Sequence, residues 1–260
     1  MSNDYDPRIS IEGDGTPLVL VPGLNGTGEL FYRQIPSLRR RHRVATYTLR
    51  DDAPTLEALA DDLAHVIDEV APVERRAIVV GESFGGAVAL TFALTHPDRV
   101  SALVIVNSFA HLNSQLRLRL AIAGLTVVPW RAIGPMRRLT AFRLHSRQTN
   151  RAEIDRFIAL TARATRRGYV GRLRLLREYD VRHRLHEVRH PTLFVAADGD
   201  HLVPALTQAQ YMADRVAASR MRVLNGHGHV CLIAPNVDLA TILDEWRENI
   251  ASSAETLSAS

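Results

Sequence analysis

Gly81-Glu82-Ser83-Phe84-Gly85 sets a serine between two glycines in the spacing G-x-S-x-G. Chance alone produces a match to so short a pattern in about one chain in ten of this length. The flanking residues give the match its meaning. The apolar run Ala77-Ile78-Val79-Val80 comes directly before it, and residues 84–95, rich in small and apolar side chains, read as a buried helix directly after it. A serine in a sharp strand-to-helix turn is lifted above the edge of a sheet, and glycines on either side remove side chains that would collide there. Amides at the start of the helix then point at the place where an attacked carbonyl develops negative charge. The chemistry this arrangement serves is nucleophilic attack by Ser83 on an acyl carbon.

A serine hydroxyl is a weak nucleophile until a base takes its proton, so a histidine is required. Of the 11 in the chain, His227 and His229 share the glycine-punctuated loop that follows the apolar run 221–224. His229 is preferred, because Gly228 permits close approach and Val230-Cys231-Leu232-Ile233 holds the backbone behind it. The imidazole in turn needs a carboxylate to fix its tautomer. Asp198 and Asp200 both follow the run 192–196, at the carboxyl end of a strand, where catalytic groups gather in open α/β sheets. Glu82 reads either as a contact for a substrate amine or as a cap for the following helix. Cys231 is the only cysteine, so no intrachain disulfide can form; it reads as a small buried apolar residue.

These residues need a sheet to converge. Short apolar runs at 18–21, 44–49, 77–80, 102–106, 192–196 and 221–224 suit parallel strands covered on both faces. Between them, residues 55–70, 84–95, 206–217 and 239–250 carry helical patterns, and residues from 251 onward are expected to fray. Alternation of this kind predicts an α/β chain with a doubly wound, mostly parallel sheet. Residues 111–190 break the alternation. They read as several helices, with Pro129, Gly134-Pro135 and Gly168 as breakers, inserted as a cap between two sheet strands. The core then comprises residues 1–110 and 191–260.

Elbow serine, acid after a late strand, and histidine near the end, in that order, resemble the α/β-hydrolase superfamily, of the serine-esterase kind with a helical cap. The resemblance spans residues 9–250 and implies the α/β-hydrolase fold. Residues 18–23 look like the family's strand leading into the oxyanion loop, with Pro22-Gly23 where His-Gly is common. The resemblance thereby implies that the backbone N–H groups of Leu24 and Phe84 form the oxyanion hole. A proline commonly lies four residues after the family's acid. Pro204 has that spacing from Asp200, which implies Asp200 as the acid and leaves Asp198 in reserve. Gly228-His229 with Pro235 matches the histidine motif, although Ala234 stands where a Glu is often found. The resemblance therefore implies a triad of Ser83, Asp200 and His229, working on a small-molecule acyl substrate without metal or organic cofactor. Ser83 separates the chain from the haloalkane dehalogenases and epoxide hydrolases of this fold, which use an aspartate there.

All 32 basic residues are arginines, since the chain has no lysine. Between 111 and 190 there are 18 of them against five acids, an excess of +13 that leaves −9 on the remainder of a chain whose net charge is +4. A cap so basic could draw anionic substrates or simply carry solvated helix faces. The segment has no nucleic-acid module and few aromatics to stack bases, so nucleic acid is not an expected partner. Leu118, Leu120, Ile122, Leu125, Val127, Val128 and Trp130 are expected to line an acyl pocket or pack the core. No apolar run reaches the roughly 18 residues of a membrane span, and the polar, acidic first residues lack a secretory pattern, so a cytoplasmic protein without stable membrane insertion is expected. Nothing in the sequence indicates an oligomeric state. The expected function is hydrolysis of a carboxylic ester or thioester. The same residues also suit an acyltransferase, a carbon–carbon bond hydrolase, or a ligand receptor on a hydrolase scaffold.

Overall fold

The computed structural model describes residues 8–112, 115–128 and 144–258. Pro129, Trp130 and Gly134-Pro135 therefore lie outside the described residues.

Seven strands form one sheet: β1 (Ser10–Glu12), β2 (Thr16–Val21), β3 (His42–Thr46), β4 (Ala77–Glu82), β5 (Val100–Val106), β6 (Thr192–Ala197) and β7 (Ser219–Leu224), in spatial order β1-β3-β2-β4-β5-β6-β7. Only the β1–β3 pairing is antiparallel; the others are parallel. The central strands β2, β4, β5 and β6 are mostly apolar because both faces are buried, whereas the edge strands β1 and β7 carry exposed polar residues. On β2, Val19 and Val21 face one apolar cluster while Leu18 and Leu20 face the other. β4 repeats the alternation with Val79 against Ile78 and Val80, and β6 with Phe194 against Leu193 and Val195. Period-two alternation between two cores is what a sheet sandwiched by helices requires.

The helices are α1 (Ile35–Leu38), α2 (Leu56–Val70), α3 (Phe84–Thr95), α4 (Gln115–Val127), α5 (Arg151–Thr161), α6 (Arg166–Leu175), α7 (Ala205–Ala213) and α8 (Leu239–Ser258). Residues of α2, α3 and α7 pack in the first cluster, and residues of α1 and α8 in the second. α2 begins where Thr55 Oγ1 accepts from the Ala58 N–H, and it buries Leu59, Leu63, Val66, Ile67 and Val70. Burial of each such side chain contributes about 1.5–3 kcal/mol.

The sequence misplaced some boundaries. The tail expected to fray is helical to Ser258; Ala251, Ala254, Glu255 and Leu257 are strong helix formers, with no glycine or proline among them to stop the helix. α7 ends at Ala213 rather than 217. Gly168 breaks nothing. It lies in the first turn of α6, where its N–H donates to Thr165 Oγ1, and a Cβ there would collide with Asp51. The break between α5 and α6 is made instead by Thr165 capping the new helix.

Between β5 and β6 the described residues form α4, α5, α6 and a 3₁₀ turn, Arg182–Glu187, and add no strand to the sheet. Its arginines meet the acids of the remaining chain. Arg163 pairs with Glu29, Arg167 with Asp52 and Arg172 with Asp51, while Arg33 crosses in the other direction to Glu153. The uneven charge along the sequence is thus partly matched where the two parts touch. The apolar stretch of α4 is split. Leu118 is buried and Ile122 and Leu125 pack against the first cluster, but Leu120 and Val127 are 63% and 82% exposed. These two side chains are open to solvent rather than turned toward that cluster.

Candidate active site

β4 ends at Glu82 and α3 starts at Phe84, so Ser83 alone makes the turn. Its φ of 55° and ψ of −118° lie outside the regions an L-residue prefers. Such strain costs on the order of 1–3 kcal/mol and persists only where the surroundings enforce it. Here the Ser83 N–H donates to the Val106 carbonyl at 2.9 Å, and the Ser83 carbonyl accepts from the Gly86 N–H at 2.9 Å and from Ser108 Oγ at 2.7 Å. The close packing leaves no room beside the serine. A Cβ on Gly81 would lie 2.4 Å from the Gly85 carbonyl oxygen, and one on Gly85 would lie 2.2 Å from that of Val21.

β7 delivers the histidine loop to the same edge. His229 Nε2 lies 2.9 Å from Ser83 Oγ, and His229 Nδ1 lies 2.7 Å from Asp200 Oδ2. An ionised carboxylate can only accept, so Nδ1–H donates to Asp200 and Nε2 is left to accept from the serine hydroxyl. The other carboxylate oxygen, Asp200 Oδ1, accepts from the backbone N–H groups of Leu202 and Val203 at 2.9 and 3.0 Å. The Asp200 side chain is fully buried and that of His229 nearly so. The structure therefore brings together all three residues expected of the triad.

The two reserves do other work. Asp198 Oδ1 accepts from the Gly226 N–H at 2.6 Å and closes the loop after β7. His227 Nδ1 lies 2.8 Å from Ser146 Oγ, and burial lowers its pKa. Neither meets Ser83. The elbow's Glu82 caps no helix, since α3 has no side-chain cap. Its Oε1 is buried with no partner among the described residues. Burial pushes its pKa up to about 7, with His229 lowering it and Asp200 raising it. Cys231 is buried, and burial pushes its thiol pKa well up, which removes the thiolate that reactivity would need.

Of the two residues expected at the oxyanion hole, Phe84 follows the serine directly and Leu24 follows Gly23, which lies against the elbow. Phe84 is the first residue of α3, and a helix leaves its first amides without an intrahelical partner. Leu24 lies in a turn closed by the Gly26 N–H donating to the Gly23 carbonyl at 2.9 Å. Gly23 lies against the elbow, where a Cβ would be 3.8 Å from that of Ser83.

Sequence reasoning missed Asn107. Its backbone is left-handed, with φ 45°, just beyond β5. Its Nδ2 donates to the His229 carbonyl at 2.8 Å, and its Oδ1 accepts from the Ala197 N–H at 2.7 Å. One amide thus fastens the histidine loop to the strand that carries the acid. An asparagine immediately after a strand was the available signal, since Asn tolerates this conformation.

Among the described residues no group of three or more His, Cys, Asp or Glu side chains could hold a metal ion, and no helix is long and apolar enough to cross a membrane. A cavity of ≈ 530 Å³ between α2, α3 and residues 174–184 holds none of the three triad residues.

The alpha/beta hydrolase fold family matches residues 16–234. A protein of Escherichia coli O157:H7, RutD, a carbamate hydrolase by name, is 28% identical over 232 residues, covering 84% of this chain and 86% of its own. A RutD of Caulobacter sp. (strain K31) is 29% identical, covering 89% and 90%. Among solved structures, an esterase of Thermogutta terrifontis superposes with a TM-score of 0.82 at 22% identity, over 94% of this chain and 93% of its own. The enol-lactonase of Burkholderia xenovorans LB400 does so at 0.78 and 18%, over 96% of each. The chain belongs to the alpha/beta hydrolase fold family.

Proposed function

We propose that this protein is a serine hydrolase that cleaves a carboxylic ester or thioester through an acyl-enzyme on Ser83. The observation that carries the reading is the hydrogen-bonded line from Ser83 Oγ through His229 to the buried Asp200 carboxylate. His229 Nε2 accepts the hydroxyl proton as Ser83 Oγ bonds to the acyl carbon. The amides of Leu24 and Phe84 take the charge that gathers on the carbonyl oxygen. His229 then donates its proton to the departing alcohol or thiol, and the bond from acyl carbon to leaving group breaks. A water next loses its proton to His229, attacks the acyl-enzyme and frees Ser83, which recovers that proton. Asp200 holds the ring in the tautomer this cycle needs and steadies its transient positive charge. We read residues 111–190 as a cap over this site, built on a core of residues 1–110 and 191–260.

The test is turnover of p-nitrophenyl acetate with and without Ser83→Ala, alongside labelling by a fluorophosphonate. Loss of the serine is expected to cut kcat by a factor on the order of 10⁶ and to abolish labelling. Equal turnover in both proteins overturns the reading.

A second reading has support in the relatives named as carbamate hydrolases. A carbamate presents the same acyl carbon and developing oxyanion, with nitrogen on one side of the carbonyl. Comparing kcat/KM for aryl esters and aryl carbamates of one leaving group decides between the two. Product analysis with added alcohols separates hydrolysis from acyl transfer.

A further inference from the structure

The turn that carries the Leu24 amide is held from the inserted helices. Arg172, on α6, has a nearly buried side chain, 3% exposed. Its Nη1 donates to the Leu24 carbonyl at 3.2 Å. Its Nη2 donates to the Leu49 carbonyl and to Asp51 Oδ1, each at 2.9 Å. The guanidinium lies flat against Gly26, where a Cβ would fall 2.4 Å from its central carbon. Gly26, at φ +76°, is thus the position where the backbone yields to a cation from another part of the chain.

These contacts fix the direction of one N–H group. In a trans peptide the N–H of Leu24 points opposite to the carbonyl of Gly23. That carbonyl is held by the Gly26 N–H, and the Gly26 carbonyl by the Leu49 N–H at 2.8 Å. Arg172 holds the far side of Leu24 and ties it to Leu49. For the turn to roll, a charge-assisted hydrogen bond must break in a buried place, where such bonds are strong. The helix bearing Arg172 and the turn bearing Leu24 therefore move as one piece.

We propose that Arg172 is a positioning residue for the oxyanion-binding amide of Leu24, so that the inserted helix α6 sets transition-state stabilisation rather than substrate affinity. The proposal rests on the reading of Ser83 as nucleophile. A planar guanidinium is suited to the task because it spans several acceptors in one rigid plane, whereas a lysine ammonium offers a single point of charge.

The experiment compares wild type, Arg172→Lys and Arg172→Met in p-nitrophenyl acetate turnover, in inhibition by phenylboronic acid, and in thermal midpoint. The boronate mimics the tetrahedral state and loads the oxyanion site, which ester binding does not. Both variants are expected to lose about tenfold to a hundredfold in kcat, as a small displacement of catalytic groups does. KM is expected to stay within about twofold, the mark of an interaction made only in the transition state. Boronate affinity is expected to fall in proportion to kcat. Arg172→Lys keeps the charge and much of the volume, so it carries the test if Arg172→Met does not fold. A folded Arg172→Lys with unchanged kcat, with a change in KM alone, or with kcat loss unmatched by boronate affinity overturns the proposal while leaving the hydrolase reading intact. Wild-type protein that neither turns over the ester nor reacts with a fluorophosphonate at Ser83 overturns both.

Discussion

The hydrogen bond from His229 to Asp200 and the ion pair of Arg163 with Glu29 have the same length, 2.7 Å, in two parts of one molecule. The side chains of the first are 7% and 0% exposed, those of the second 67% and 51%. Water screens the second pair and competes for its hydrogen bonds, so pairs of that kind contribute about 0–1 kcal/mol. The first pair has no such competitor, and each member is also held by backbone. Asp200 accepts from two amides besides the imidazole, and the His229 carbonyl accepts from Asn107. Separation alone therefore says little about what a polar pair does. Burial and the number of fixed neighbours decide whether it can set the geometry of a reaction or only join two surfaces.

The strongest challenge to that contrast lies between two aspartates separated by one glycine. Asp200→Asn leaves a side chain that can present N–H to the imidazole and favour the wrong tautomer. It is expected to lower kcat about 10⁴-fold. Asp198→Asn removes the charge from the contact with the Gly226 N–H and touches no part of the triad. It is expected to leave kcat within a few-fold of wild type and to cost about 1 kcal/mol of stability. Steady-state kinetics and denaturant midpoints on the two variants check both. Equal kinetic losses would mean that both carboxylates serve the histidine.

The same two regions differ in how far the sequence foretold them. The elbow was readable because strand, glycine, serine, glycine and helix are neighbours in the chain, and each constrains the next. α3 spans the expected residues 84–95 without a shift. The choice between Asp198 and Asp200, and between His227 and His229, was less determined by local pattern. Each pair shares one loop, and the selection depends on which side chain the fold turns toward Ser83. Resemblance to the family supplied the acid. The partners of Asn107 and Arg172 were not readable, although the position of Asn107 after a strand hinted at its backbone. Asn107 acts on a loop 122 residues away, and Arg172 acts on a turn 148 residues away. An isolated Asn or Arg carries no periodicity that would reveal such a partner. The basic excess of residues 111–190 was visible, but only the folded chain pairs it with Glu29, Asp51 and Asp52.

Glu82 extends the comparison to a carboxyl without donors. Asp200 has three hydrogen-bond partners, whereas the buried Oε1 of Glu82 has none among the described residues. Burial raises its pKa from 4.5 to about 7. Between those values the folded chain holds a proton that the unfolded chain has released, so stability falls as pH rises through that window. The penalty is complete above pH 7 and amounts to about 3 kcal/mol. Glu82→Gln cannot ionise. It is expected to raise stability by about that amount above pH 7 and to change nothing below pH 4.5. Denaturant melts of both proteins at pH 4.5 and pH 8 measure the difference. A gain of the same size at both pH values would assign the effect to packing rather than to charge.

Arg163→Ala should have the smallest effect, and that smallness is the informative part. Its pair with Glu29 joins the residues just after α5 to the 3₁₀ turn Gly28–Phe31 that follows β2, so it looks like a clamp on the inserted helices. Both side chains stand mostly in water, and removing one leaves the other solvated rather than stranded. The expected loss is under about 1 kcal/mol, a thermal shift of no more than about 2–4 °C for a chain of this size. In 1 M salt, where the screening length drops to about 3 Å, the variant and wild type should become indistinguishable. Arg172 differs in being buried against backbone carbonyls, so its variants should keep their kinetic defect at the same ionic strength. If Arg163→Ala instead costs as much as Arg172→Lys, and salt does not reduce the cost, exposure is the wrong criterion for ranking these pairs, and the inserted helices are held by their number of arginines rather than by the placement of one.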